Sequence, residues 1–150
     1  MPREHPTIKM TTDELLSFVG AQVRCIVGTL DAEGGPWGDA AACVLYDGAL
    51  YFRVPRNSRS CANILRDNRV CCAVEDHPTG ADYYTIKGAV LHGRAAPLAE
   101  PAMAQQVVVA LDNLPDPVTG TGMADGAIFS IGLEDVASFD FAKIKRRFES

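Results

Sequence analysis

Metal-binding patterns are scarce in this sequence. Its five cysteines (Cys25, Cys43, Cys61, Cys71 and Cys72) form no CxxC pair, and its three histidines, His5, His77 and His92, lie far apart. A structural zinc site shows paired ligands at close spacing, so no metal centre is expected. Long apolar runs are missing too: none approaches the roughly 20 residues needed to cross a bilayer. The opening "MPREHPTIKM" lacks the apolar core of a secretory leader, so a cytoplasmic protein without a membrane partner is expected. Nor is positive charge in excess. The formal net charge is −5, whereas a nucleic acid or an anionic lipid surface favours a basic protein. Nucleic acid is therefore not expected as a partner. Internal repeats, low-complexity tracts, an obvious acid–base pair and an activated nucleophile are all absent, and catalytic residues stay unassigned.

What the chain has is a globular composition. Its 150 residues, 47% hydrophobic and 22% charged, suit one domain with a sizeable core. Residues 1–10 read as a loose arm, residues 11–142 as the domain and residues 143–150 as a basic tail. "TTDELLSFVGAQ" predicts a short amphipathic helix with Thr11 or Thr12 as its cap and Leu15, Phe18 and Val19 on one face. "VRCIVGTL" and "WGDAAACVLY" read as strands joined through Gly34, Gly35 and Pro36. The Asp-Gly of "YDG" predicts a tight hairpin into "ALYFRV". A helix of two to three turns follows from Ser58 to about Arg66, then a strand at "RVCCAVE".

"DYYTIKGAVLHGRAAPL" reads as one long strand, with Gly88 and Gly93 as places to bend. "EPAMAQQVVVALDNL" is a second sizeable helix, "PDPVTGTGMADG" a loop, and "AIFSIGLEDVASFDF" one or two closing strands. Hairpin-linked strands with few helices exclude a doubly wound parallel sheet. The expected fold class is α+β: a small antiparallel barrel of six to seven strands with two to three flanking helices. Within it, Cys25, Cys43, Cys71 and Cys72 should behave as small buried hydrophobes. Alternation should turn at least one of Tyr83 and Tyr84 inward.

One stretch asks for chemistry. In "FRVPRNSRSCANI" three arginines gather where a helix opens, and an opening turn presents unpaired N–H groups and partial positive charge. Phosphate is the usual biological anion for such a place. Asn57, Ser58 and Ser60 can cap the helix or bond a phosphate oxygen, while Arg53, Arg56 and Arg59 can fork onto the same oxygens. The competing reading is a capped helix with solvated arginines. Trp37 can stack on a ligand or plug a barrel end, and Lys87 and His92 fit surface positions or ligand contacts.

Three pieces, "VGTLDAEGGPWGDAAACVLYDGALYF", "NSRSCANILRDNRVCCAVE" and "YYTIKGAVLHGRA", carry a resemblance. From about Glu14 to Leu98 the chain resembles the pyridoxamine 5'-phosphate oxidase-like, FMN-binding split β-barrel family. The resemblance implies a homodimer with FMN sites at the interface, and an oxidoreductase acting on a small substrate. It places Ser58 on the family's phosphate-binding serine and Arg59 on a basic residue after it. Ala41, Ala42 and Cys43 fall on the strand whose backbone lines the ring, and Asn63 and Ile64 pack the helix onto the barrel. Four departures stand out: Val54 replaces a strand-end threonine, Ser60 a lysine, Asp39 an arginine and Val44 a lysine. The ending "FDFAKIKRRF" lacks the tryptophan and arginine signature of the oxidase proper, so pyridoxamine phosphate oxidation is not expected. The family's deazaflavin users, and a non-catalytic flavin- or haem-binding barrel, are the alternatives.

Overall fold

A computed structural model of the chain describes residues 7–77, 83–99, 101–114 and 126–144. His5, the start of the arm, most of the 115–126 loop and the tail beyond residue 144 lie outside the described residues. Helix α1 (Thr12–Gly20) opens with a reciprocal cap. The Thr11 hydroxyl accepts from the Glu14 amide at 3.2 Å, and the Glu14 carboxylate accepts from the Thr11 amide at 2.9 Å. That satisfies two orphan donors at once, and Leu15 and Val19 turn into the core.

Strands β1 (Arg24–Leu30), β2 (Pro36–Tyr46) and β3 (Ala49–Pro55) form a meander. The turn between β2 and β3 has positive φ at both central residues, Asp47 (49°) and Gly48 (78°), the combination that matches strand twist and that an Asp-Gly pair tolerates best. Helix α2 (Arg59–Arg66) and strand β4 (Arg69–Asp76) follow. After a single 3₁₀ turn at Tyr83–Thr85 come β5 (Lys87–Arg94), the two-residue β6 (Ala96–Pro97), α3 (Pro101–Asp112), β7 (Gly126–Gly132) and β8 (Val136–Asp140).

All eight described strands join one antiparallel sheet in the order β6-β7-β3-β2-β1-β4-β5-β8. The sheet curls until β5 packs on β7 without pairing: a Cβ on Gly93 would sit 3.4 Å from Ile131. The fold is the α+β split barrel anticipated from the sequence, with eight strands where six to seven were expected. The difference lies at the end of the long fifth strand. Its opening tyrosines form the 3₁₀ turn, where alternation does not apply, and Tyr83 is exposed and stacked on Phe141 at 4.4 Å. At its far end Ala95 breaks the ladder, and Ala96 and Pro97 pair with β7 instead of β4.

Leu50, Phe52, Val54, Val27, Leu91 and Ile131 fill the interior, joined by Cys25, Cys43, Cys61 and Cys72. Cys71 is only half-buried because alternation turns it outward. Its sulfur lies where Gly28 would carry a Cβ. Phe139 lies over its register partner Gly88 in the same way, so any side chain there would collide with the ring. The last part of the arm is tied down: Ile8 accepts from the Asp140 amide at 2.8 Å and the Met10 amide donates to Ser138 at 3.0 Å.

Candidate functional site

Strand β2 is the element on which the site is built. It pairs with β1 over Pro36–Ala42 but with β3 only over Ala42–Tyr46. Ala42 is thus a corner where the strand changes neighbours. Three consecutive buried residues mark it, because the corner is covered on both faces. Ala41 and Cys43 face the barrel interior and Ala42 faces α3, beside Tyr51, Val107 and Leu111. Their side chains are enclosed by protein, so only their backbone could meet a ligand, and the Cys43 amide already donates to Val23 at 3.0 Å.

The same bond fixes the phase of the strand. Since Cys43 directs its polar groups toward β1, alternation sends those of Ala40 and Gly38 the other way. No strand pairs with that edge among the described residues, and both residues are exposed. Before the corner, β2 therefore offers an open row of backbone donors and acceptors beside α2.

The opening turn of α2 faces this region. Ser58 is its cap: the hydroxyl accepts from the Cys61 amide at 3.1 Å and donates to the Pro55 carbonyl at 2.6 Å. Ser60 is fully buried and gives its hydroxyl to Asp39 Oδ2 at 2.7 Å. The indole N–H of Trp37 donates to the same oxygen at 3.2 Å, and the Arg59 guanidinium lies 4.1 Å from the Trp37 ring. Trp37, Asp39, Arg59 and Ser60 thus form one cluster joining β2 to α2, in which Trp37 packs with a neighbouring cation. Asn63 anchors the helix from below, its amide donating to Thr29 at 3.0 Å while its oxygen accepts from Arg66 at 2.8 Å.

The remaining arginines lie on the other side of the turn. Arg53 and Arg56 both line a cavity of about 360 Å³ between α2, α3, β6 and β7. Arg53, 3% exposed, donates to Asp112 Oδ1 at 2.7 Å, and its Nε has no partner among the described residues. The residues expected to surround one phosphate therefore divide. Arg53 is paired with α3, Ser58 caps, Ser60 serves Asp39, Val54 is buried in the core, and Arg56, Asn57 and Arg59 are exposed. Sequence reasoning noted Asp39 only as a departure. Its link to Ser60 spans 21 positions and left no local signal.

A second feature is the outer face of β1, β2 and β4. Ile26, 52% exposed, has Ala40 and Ala73 as register partners, and Gly28 pairs with Gly38 and Cys71. The result is a shallow apolar patch of small residues continuous with the open edge. Among the described residues no metal-binding cluster occurs, and no helix is long and apolar enough to cross a membrane.

A family model described as pyridoxamine 5'-phosphate oxidase matches residues 11–137. The chain belongs to the pyridoxamine 5'-phosphate oxidase family. Solved structures agree on the fold. A conserved hypothetical protein from Mycobacterium tuberculosis is 24% identical with a TM-score of 0.76, over 92% of this chain and 89% of that one. A FAD-binding protein from Mesorhizobium loti is 17% identical with a TM-score of 0.70, over 87% and 93%. The heme storage protein HutZ from Vibrio cholerae is 16% identical with a TM-score of 0.69, over 87% of this chain and 97% of that one. No curated protein matches the sequence. Among solved structures, the pyridoxamine 5'-phosphate oxidase fold thus includes proteins named for flavin and for haem binding.

Proposed function

We propose that the chain is a homodimeric flavin-dependent oxidoreductase acting on a small substrate, with FMN as the flavin. The observation that carries this reading is the open edge of β2 at Gly38 and Ala40, beside the opening turn of α2. The pyrimidine edge of a flavin bears alternating donors and acceptors that suit such a row. Family membership and the FAD-binding neighbour support a flavin in general. A second copy laid on the Ile26–Ala40–Ala73 patch would cover it and bring two sites to one interface.

The ring fits this place, but the phosphate fits the opening turn less well. Ser58 and Ser60 have their hydroxyls committed, and Asp39 puts a carboxylate there. Arg56, Asn57 and Arg59 are exposed beside it. A bound flavin supplies hydride or electron transfer; this chain supplies position, charge and exclusion of water.

The test is the visible spectrum of the purified protein, with mass identification of what denaturation releases, followed by FMN titration. A flavin band or saturable FMN uptake is expected. Its absence in both overturns the reading. Light scattering should give a dimer, and Ile26→Asp a monomer.

A second reading, a non-catalytic binder of haem or deazaflavin, is favoured by the Asp39–Ser60 pair, which closes the turn against phosphate. A Soret band, or tight cofactor binding without reduction by nicotinamide nucleotides, selects it.

A further inference from the structure

We propose, resting on the flavin reading above, that Asp39 removes this site's preference for a phosphorylated flavin. It makes the site indifferent to the terminal phosphate, so the protein binds the ring and its polyol chain. The carboxylate cannot swing aside at no cost, because two donors from different elements fix one of its oxygens: the Ser60 hydroxyl at 2.7 Å from α2 and the Trp37 indole at 3.2 Å from β2. Ser60 is fully buried, so its hydroxyl has no second orientation toward solvent or ligand. Ser58 is committed as well, donating to Pro55 at 2.6 Å and accepting from Cys61 at 3.1 Å.

Charge points the same way. Arg59 lies over Trp37, the ring whose N–H holds Asp39, so one positive and one negative group share this end of the turn. The nearest cation is thereby offset before any ligand arrives. Each negative charge of a phosphate placed about 5 Å from the carboxylate, at an effective dielectric near 20, loses roughly two to three hundredfold in affinity. Arg56 and Arg59 restore part of that, leaving close to no net gain from the phosphate. A polyol hydroxyl, by contrast, donates to a carboxylate and forms a charge-assisted bond. The apolar ring and the β2 edge then carry the affinity, and Asp39 is the specificity-determining group.

The experiment compares FMN with riboflavin by fluorescence titration of the intact protein and of Asp39→Asn. For the native chain the two dissociation constants should differ by less than about tenfold. Asp39→Asn keeps the volume and a hydrogen-bond acceptor for Ser60 while removing the charge. It should tighten FMN by about tenfold or more and leave riboflavin unchanged or weaker. A native preference for FMN of tenfold or more overturns the proposal, and that measurement needs no variant to fold. So does an FMN affinity unmoved by Asp39→Asn in a variant with native circular dichroism. Failure to bind either flavin is a different result: it removes the flavin reading itself, and this inference with it.

Discussion

Removing the Asp112 carboxylate should cost more than its surface position suggests. Arg53 is 3% exposed on the outer face of β3, with Nη1 held at 2.7 Å by Asp112 and Nε without a partner among the described residues. Asp112→Ala therefore strips a buried guanidinium of its paired charge. Breaking a fully buried pair from one side destabilises by about 3–5 kcal/mol. Here the Asp112 side chain is 52% exposed, so water can follow the vacated space and the loss falls to about 2–3 kcal/mol. For a chain of this length that is a melting point lower by roughly 5–10 °C.

Thermal and urea melts by circular dichroism measure it, with an unchanged urea slope confirming that stability rather than compactness has shifted. The double variant Arg53→Met, Asp112→Leu removes both charges and should recover most of the loss, because an apolar pair of similar size replaces a buried ion pair at little cost. A single variant within about 0.5 kcal/mol of the native protein, or a double variant no better than the single, refutes the reasoning.

Two further outcomes are expected. Glu14 has its carboxyl lowered from the usual 4.5 to about 2, chiefly by the Lys143 ammonium at 2.7 Å and then by the Thr11 amide it caps. Because the folded value is the lower one, its contribution is complete above pH 4.5 and disappears as pH falls toward 2. Glu14→Gln should flatten melting temperature against pH across that window and leave the neutral region shallow; an unchanged acid limb would contradict the assignment. In the barrel, the bond from Cys25 and burial push the Cys43 thiol far above the ordinary range, and Cys25, lowered by its bond with Cys43, is raised by the Cys72 thiol and burial to a net value well above it. Iodoacetamide under native conditions at pH 8 should therefore label Cys71 and spare Cys25, Cys43, Cys61 and Cys72 until the chain is unfolded; rapid native labelling of Cys25 or Cys43 would contradict their burial.

The parts of the fold that were legible in the sequence are those whose signal is local. Thr11 and Glu14 lie three residues apart, so their reciprocal cap is written in one turn of chain. Asp47 and Gly48 announce a turn that needs positive φ, and Ser58 announces a helix start. What alternation alone could not give is the end of the fifth strand, where Ala96 and Pro97 leave β4 for β7 because the curled sheet brings β7 within reach. The candidate site was legible as a place and not as an arrangement. Three arginines near one helix start looked convergent, yet Arg53 points to a partner 59 positions on, and Arg59 turns to a tryptophan on strand β2. Strand phase decides such directions, and the phase of β2 is set by its corner at Ala42.

That corner has a consequence for the protein before any ligand reaches it. Half of an eleven-residue strand is left with an unanswered ladder at Gly38 and Ala40. A molecule lodged there acts as a surrogate strand, so occupancy and cohesion of the sheet become one thermodynamic event. The empty chain carries the exposed template that sheet proteins elsewhere conceal. Under the proposed flavin reading, misassembly through this edge and cofactor loading would compete for the same few backbone groups.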